Sequence, residues 1–142
     1  MILADVNVLI YAFRKDTAHH EACKPWLDKI VAADTHFGVS PLVLGAVARI
    51  TTNPRIFRQP SPVGQVFAFC DNLLNQPHCQ IVRPGERHWT IFKRLCIETG
   101  TRGPRVTDAW FAALAIEHGC TWITWDRDYA RFPNLAWQQP AI

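Results

Sequence analysis

Residues 2–5 read Ile-Leu-Ala-Asp, three apolar residues followed at once by an acid. A short apolar run of this kind predicts a buried strand over residues 2–4 that carries Asp5 at its carboxyl end. An acid in that place has no evident task in a turn or a helix cap, so we expect Asp5 to serve a functional site. The stretch therefore predicts both a strand and the side chain that the strand delivers.

Outward from Asp5, helical patterns alternate with short β-rich runs. Apolar spacing predicts a helix that begins at Pro62 and further helices over residues 20–33, 41–50, 86–99 and 107–118. Strands are predicted over residues 35–39, 79–82, 120–124 and 135–137. The alternation predicts a single α/β domain over residues 1–142, with a mostly parallel central sheet sandwiched by helices.

Serine–proline pairs and glycines mark the ends of the predicted helices. Ser40 and Ser61 each precede a proline, which predicts a serine cap with proline in the first helical position. Gly100 and Gly119 follow helical stretches and predict where those helices end.

Two further acids lie where they can meet Asp5. Asp108 opens a helix whose following residues are apolar, and Asp126 follows the predicted strand over residues 120–124. If the sheet is parallel, these groups share one edge, where ligands bind in open α/β sheets. Closely packed carboxylates repel one another unless a cation neutralises them, and such oxygen-rich clusters suit Mg²⁺ or Mn²⁺. The alternatives are that Asp108 only caps its helix and that Asp126 only shapes a turn.

Composition narrows the class of protein. The chain has 142 residues, of which 49% are hydrophobic and 19% charged, values that exclude a disordered chain. The five cysteines include no C-x-x-C pair, which argues against a zinc ribbon and for a reducing compartment. No signal peptide is expected, and the longest apolar run, over residues 109–116, is too short to span a membrane. We therefore expect a cytoplasmic protein without a membrane partner.

Positive charge concentrates in the middle of the chain. The formal net charge is +3. Residues 49–105 contain nine basic and three acidic residues, so the ends of the chain are net acidic. This distribution suits a polyanion held over a cation site.

Five motifs together resemble the PIN-domain ribonucleases, specifically the toxin subunits of VapBC-type toxin–antitoxin pairs. They are I-L-A-D-V-N-V-L-I-Y-A (2–12), S-P-L-V-L-G-A-V-A-R-I (40–50), T-N-P-R-I-F (52–57), V-T-D-A-W-F-A-A-L-A-I-E-H-G (106–119) and T-W-D-R-D-Y-A-R-F (124–132). The resemblance implies a PIN-like domain and a Mg²⁺-dependent endoribonuclease that cuts structured RNA of the tRNA or rRNA class, with Mn²⁺ as a substitute. It also implies a small cognate antitoxin and a homodimer.

The resemblance assigns roles by position. It makes Asp5, Asp108 and Asp126 the metal-site and catalytic acids. It makes Asn7 and Thr124 supporting polar groups and Asp128 an outer acid.

One position departs from the family pattern. The family usually carries a glutamate three residues before an arginine in the second helix, and here Ala46 precedes Arg49. Glu21 is the nearest acid in the sequence that could replace it. The departure leaves open a degenerate PIN domain that binds RNA or an antitoxin without cutting.

Several residues are candidates for contacts with RNA or a partner. The candidates for RNA are Arg49, Arg55, Arg102, Arg105 and Trp125, with solvated surface charge and core packing as the alternatives. The apolar residues between Phe67 and Leu74 are a candidate face for a partner, with core packing as the alternative.

Two other enzyme classes that begin with a similar strand are disfavoured. A phosphatase with D-x-D at this place uses its second aspartate as a general acid, and Asn7 cannot donate a carboxyl proton. A receiver-type domain needs a late lysine, and none follows Lys93.

Overall fold

Five short strands within residues 1–141, which the computed structural model describes, form one sheet at the centre of the molecule. They are β1 (Ile2–Ala4), β2 (Phe37–Val39), β3 (Cys79–Ile81), β4 (Thr121–Ile123) and β5 (Trp137–Gln138). The strand order is β3-β2-β1-β4-β5, and each neighbouring pair is parallel. The predicted α/β fold is therefore confirmed, with a sheet that is parallel throughout these residues.

Helices cover the sheet. They are α1 (Val6–Phe13), α2 (His20–Ala32), α3 (Pro41–Thr51), α4 (Val63–Leu74), α5 (His88–Thr99) and α6 (Val106–His118), with short 3₁₀ helices at Gly103–Arg105 and Arg127–Arg131. Within residues 1–141, no helix is both long enough and apolar enough to cross a membrane.

Helix α1 is absent from the sequence prediction. It has eight residues, Val6–Phe13, and only Asn7 among them is strongly polar. A short and almost wholly apolar segment shows no helical period, because there is no polar face to contrast with the buried one. Packing against α2 and α3 therefore fixes this helix.

The predicted helix ends are correct in part. Gly100 and Gly119 both have φ of +65° and end α5 and α6, as predicted. The second serine cap is wrong: α4 begins at Val63, and the Ser61 hydroxyl instead accepts a hydrogen bond from Arg14 Nη1 at 2.9 Å. The last strand, β5, also begins at Trp137, two residues later than predicted.

The core lies on both faces of β1 and β4. Leu3, Trp122 and Ile123 are fully enclosed, as expected for strands covered by helices on two sides. In α6 the five residues from Phe111 to Ala115 are all buried, so the central apolar run is a core helix. Its burial fixes the place of the first turn of α6, which carries Asp108.

The strand order creates a switch point between β1 and β4. From β1 the chain proceeds outward through β2 and β3, whereas β4 and β5 lie on the other side of β1. Helices that leave neighbouring strands in opposite directions open a crevice at the carboxyl ends of those strands. Asp5 follows β1 and Thr124 follows β4, so both lie at this crevice.

Candidate active site

A cavity of about 660 Å³ opens at the carboxyl ends of β1 and β4. The polar and charged residues that line it are Asp5, Asn7, Arg49, Thr107, Asp108, Asp126 and Tyr129. The structure therefore brings the three predicted acids into one cavity, although they lie up to 121 positions apart in the sequence. Their role as metal ligands stays a prediction.

Asp5 is a buried carboxylate held by three donors. Its Oδ1 accepts from the Val6 amide at 2.6 Å, and its Oδ2 accepts from Thr124 Oγ1 at 2.6 Å and from Asn7 Nδ2 at 3.3 Å. The bond to Val6 caps α1, so the expectation that Asp5 caps no helix is wrong. That error follows from the missed helix.

The environment of Asp5 opposes its charge. Burial raises its pKa from 3.8 to about 6, and the neighbouring carboxylates of Asp108 and Asp126 add to the rise. The hydrogen bonds from Thr124 and Val6 act in the opposite direction. A cation in the cavity would restore the charged form at lower pH.

Thr124 and Asn7 connect the ends of the two central strands. The Thr124 hydroxyl, which is fully buried, also accepts from the Asp126 amide at 3.0 Å and from Asn7 Nδ2 at 3.4 Å. Asn7 Oδ1 accepts from the Trp125 amide at 3.3 Å. Both residues therefore lie where the supporting groups were predicted.

Asp108 lies in the first turn of α6 but does not cap it, since Arg105 is the capping residue. Its Oδ1 accepts from the Tyr129 hydroxyl at 3.4 Å, and its Oδ2 lies 3.8 Å from Arg105 Nη1 and 4.0 Å from Arg131 Nη2. Partial burial and the charge of Asp126 raise the pKa of Asp108, while the two arginines lower it. Asp108 is therefore not the N-cap residue, although its carboxylate does lie in the first turn of α6.

Tyr129 and Arg131 are residues of the site that the sequence analysis missed. Tyr129 is buried, and burial together with the surrounding carboxylates raises the pKa of its hydroxyl, which therefore remains a proton donor. The spacing between Asp126 and Tyr129 could have indicated this place. In a 3₁₀ helix, residues three positions apart lie on the same side, so Tyr129 lies on the side of Asp126.

Asp126 and Asp128 have different environments. Asp126 lines the cavity and also caps the 3₁₀ helix Arg127–Arg131, accepting from the Asp128 amide at 2.9 Å. Asp126 therefore does shape the turn after β4, and it also lines the cavity. Asp128 is exposed and pairs with Arg105 Nη2 at 2.6 Å, outside the cavity lining.

The position of the missing glutamate faces the cavity. Ala46 and Arg49, one turn apart on α3, both line it. Glu21 is exposed on α2 and is not among the lining residues, so it does not replace the glutamate. The site therefore has three lining carboxylates rather than four among residues 1–141.

The carboxylate groups that line the cavity are of the chemical type that binds a hard divalent cation. Carboxylate oxygens are the ligands that Mg²⁺ prefers. Burial raises the pKa of Asp5 and of Asp108, and the neighbouring carboxylates add to both rises. Within residues 1–141, no group of three or more His, Cys, Asp or Glu side chains is arranged so that it could hold a metal ion together. Water and substrate oxygens would have to complete the coordination.

The candidate RNA contacts do not lie together. Arg49 lines the cavity, whereas Arg102 and Arg105 line a second, smaller cavity and Arg55 is exposed in the loop after α3. The Trp125 ring stacks on His19 with centroids 4.1 Å apart, and its Nε1 donates to Cys23 Sγ at 3.0 Å. One face of the Trp125 indole is thus already covered.

Comparison with known proteins settles the family. The PIN domain profile matches residues 2–135. The chain belongs to the PIN-domain family. Among its PIN-domain relatives are two proteins from Mycobacterium tuberculosis, Ribonuclease VapC25 and Ribonuclease VapC31, with 42% and 40% identity over 142 residues and complete coverage of both chains.

Solved structures of PIN-domain proteins share this fold. The VapBC2 complex of Rickettsia felis, bound to a promoter DNA fragment, contains a chain that matches with a TM-score of 0.70 and 18% identity, over 98% of both chains. VapC20 of Mycobacterium tuberculosis, described as a Sarcin-Ricin loop cleaving toxin, matches with a TM-score of 0.65 and 14% identity, over 95% of this chain and 98% of that one. At these identities the likeness concerns the fold.

Proposed function

We propose that this PIN-domain protein is a Mg²⁺-dependent endoribonuclease that hydrolyses phosphodiester bonds in structured RNA, as the toxin of a toxin–antitoxin pair. The observation that carries the proposal is the meeting of Asp5, Asp108 and Asp126 in one cavity at the switch point of the sheet. The ribonuclease names of the full-length relatives support the same activity.

Asp5, Asp108 and Asp126 line the cavity in which the cation would bind, and they would have to move closer together to share it as ligands. A divalent ion in such a site lowers the pKa of a water molecule and offsets charge on the phosphodiester. Thr124 and the capped end of α1 hold the Asp5 carboxylate in one orientation, which limits its reorganisation during the reaction. Tyr129 keeps its proton and donates to Asp108, so it orients that acid.

The RNA would be held by the basic residues around the cavity. Arg49 lines the cavity itself and lies within reach of a phosphate beside the acids. Arg55, Arg102, Arg105 and the exposed side of Trp125 extend the contact outward. We infer a tRNA or rRNA substrate acted on in the cytoplasm, with Mn²⁺ able to replace Mg²⁺.

A small antitoxin and a second copy of the chain are the proposed protein partners. The solved neighbours include VapBC complexes, which supports the antitoxin. The apolar face predicted between Phe67 and Leu74 needs correction, because Leu73 is buried and Phe69 packs on Phe13 with ring centroids 5.0 Å apart. On α4 the large apolar side chains that are exposed are Val63 and Phe67, which are 57% and 53% exposed.

The alternative of a binder that does not cut rests on Ala46 alone. That position does face the cavity. A fourth carboxylate is not required for Mg²⁺, which usually binds through one or two carboxylates and keeps several waters. The ribonuclease names of the relatives favour the cutting protein.

Metal-titrated cleavage tests the proposal. Purified protein is incubated with tRNA and rRNA at increasing Mg²⁺ or Mn²⁺, with EDTA as the blank. We expect cleavage that depends on metal and that falls at least about 100-fold in Asp108→Asn, as for loss of a catalytic electrostatic group. The matched control is Asp34→Asn. Asp34 is exposed and precedes β2, so it lies at the amino ends of the strands, away from the cavity. Equal cleavage in EDTA, or by Asp108→Asn, would contradict the metal mechanism.

A further inference from the structure

A second cavity, of about 190 Å³, adjoins the active site. The residues that line it are Thr99, Gly100, Thr101, Arg102, Arg105 and Arg131. We propose that it binds one phosphate group of the RNA, next along the strand from the phosphodiester that is cut. This inference rests on the proposed function and adds to it a discrete phosphate subsite.

Three arginines from two separate segments of the chain meet in this cavity. Arg102 follows α5, Arg105 ends the 3₁₀ helix Gly103–Arg105, and Arg131 ends the 3₁₀ helix Arg127–Arg131. No acid is among the lining residues. Arg105 pairs with Asp128, and Arg105 and Arg131 both lie beside Asp108, whereas Arg102 pairs with no carboxylate within residues 1–141. The three guanidinium groups thus outnumber the two carboxylates beside them, which favours binding of an anion, and the planar guanidinium fork matches phosphate oxygens.

The threonines of the cavity hold its wall in place. Thr99 Oγ1 donates to the Leu95 carbonyl at 2.6 Å and lies 2.6 Å from Thr101 Oγ1, which is therefore the donor of that second bond. Both hydroxyl protons are used within the segment, and Gly100, at φ +65°, allows the sharp turn between them. Recognition of an anion is thus left to the guanidinium groups.

Charge contacts link this cavity to the active site. Arg105 Nη1 and Arg131 Nη2 lie 3.8 Å and 4.0 Å from the same oxygen, Oδ2 of Asp108. Asp108 lines the active-site cavity, so side chains that line the two cavities are in direct contact. An RNA strand whose scissile phosphate faces the acids would pass directly over the three arginines.

The cavity is large enough for a phosphate group. A volume of 190 Å³ corresponds to about six water molecules. That is room for one phosphate with part of its hydration shell. The charge of the lining, and not its size, favours a phosphate over an uncharged ligand of similar volume.

The test uses the full chain in EDTA, so that cleavage plays no part. Inorganic phosphate is titrated while the side-chain Nε–Hε NMR signals of the arginines are followed, and the titration is repeated with an uncleavable RNA. We expect the signals of Arg102, Arg105 and Arg131 to shift with both ligands, and RNA to displace phosphate. Shifts with phosphate that RNA does not reproduce would overturn the proposal.

Variants make the assignment quantitative. Arg131→Ala and Arg102→Ala should each weaken binding of the uncleavable RNA about tenfold, as expected for loss of a charge-assisted contact. Arg131→Lys should recover only part of that loss, because it restores the charge without the fork. Arg94→Ala, an exposed arginine on α5, is the control and should bind as the parent does. Amide spectra confirm that each variant is folded.

The outcomes separate this inference from the proposed function. Unchanged RNA affinity in both Arg131→Ala and Arg102→Ala would overturn the phosphate subsite while leaving metal-dependent cleavage intact. A parent protein that binds RNA through these arginines but cleaves none in Mg²⁺ or Mn²⁺ would contradict the nuclease and support the subsite.

Discussion

At the scale of the residue, Asp5 combines two tasks that conflict. Its Oδ1 caps α1, and the same buried carboxylate faces two other acids across the cavity. Capping favours the charged form, whereas burial and like charges oppose it. The raised pKa shows that the opposing effects are larger, so the metal-free site is held at a cost in stability.

We expect Asp5→Asn to stabilise the metal-free protein while abolishing cleavage. Because the pKa of Asp5 rises from 3.8 in the unfolded chain to about 6, its contribution to folding falls as the pH rises between these values. At pH 7 the charged carboxylate costs up to about 3 kcal/mol. Denaturant unfolding in EDTA should show that gain for Asp5→Asn at pH 7 and lose it near pH 4.

The same measurement has a control and a clear contrary result. Asp71→Asn, at an exposed position on α4, should show no such dependence on pH. If Asp5→Asn is less stable than the parent at pH 7 in EDTA, then capping of α1 outweighs burial and the electrostatic account of the site is wrong.

Ala46→Glu should strengthen metal binding. Ala46 lines the cavity, so a new carboxylate there adds a fourth acid, and Arg49 lies at the i,i+3 position to orient it. The metal concentration for half-maximal cleavage should fall. Melting temperature is measured with and without Mg²⁺, and the variant should gain more from Mg²⁺ than the parent does.

An Ala46→Glu variant that is less stable in both conditions and no more active would show that the new carboxylate is buried without a cation. Ala46→Gln, which has the same shape without the charge, is the matched control and should leave the metal dependence unchanged.

At the scale of the element, the loop before α4 is held by a single buried cation at the end of α1. Arg14 is 8% exposed and donates to Asp16 Oδ1 at 2.8 Å, to Ser61 Oγ at 2.9 Å and to the Gln59 carbonyl at 3.0 Å. Its guanidinium also lies 3.8 Å from the centre of the Phe57 ring. The loop that carries Arg55 is thus fixed to α1.

Arg14→Leu should lower the free energy of unfolding by about 2 kcal/mol, because it removes several hydrogen bonds and leaves their acceptors unpaired. Proteolysis should become faster within residues 53–62, which lose their attachment. Lys15→Leu, an exposed neighbour, is the control. Unchanged stability and unchanged proteolysis of Arg14→Leu would contradict this role.

At the scale of the whole molecule, the distribution of positive charge favours binding of a polyanion. The net positive segment 49–105 supplies Arg49 to the active-site cavity and both Arg102 and Arg105 to the second cavity. Affinity for uncleavable RNA should therefore fall steeply with salt, with a log–log slope of about 0.7 for each single-strand phosphate contacted. A flat response between low and high salt would reject electrostatic binding.

The sequence by itself determined the fold class, most of the elements and the family. Strand and helix periods, the glycines that end α5 and α6, and the buried run of α6 are local signals, since each depends on residues close together in the chain. The order of acids along the chain predicted that Asp5, Asp108 and Asp126 would share one sheet edge. Parallel strands make that prediction possible without coordinates.

Only the tertiary structure decided what each acid contacts. Helix α1, and with it the role of Asp5 as its N-cap, depends on packing against α2 and α3. The apolar pattern of the local sequence does not indicate this packing. Tyr129 and Arg131 join Asp108 because a 3₁₀ helix returns them to it across more than twenty residues. Burial and proximity between distant segments set pKa values and ion pairs, and both arise only when the chain has folded.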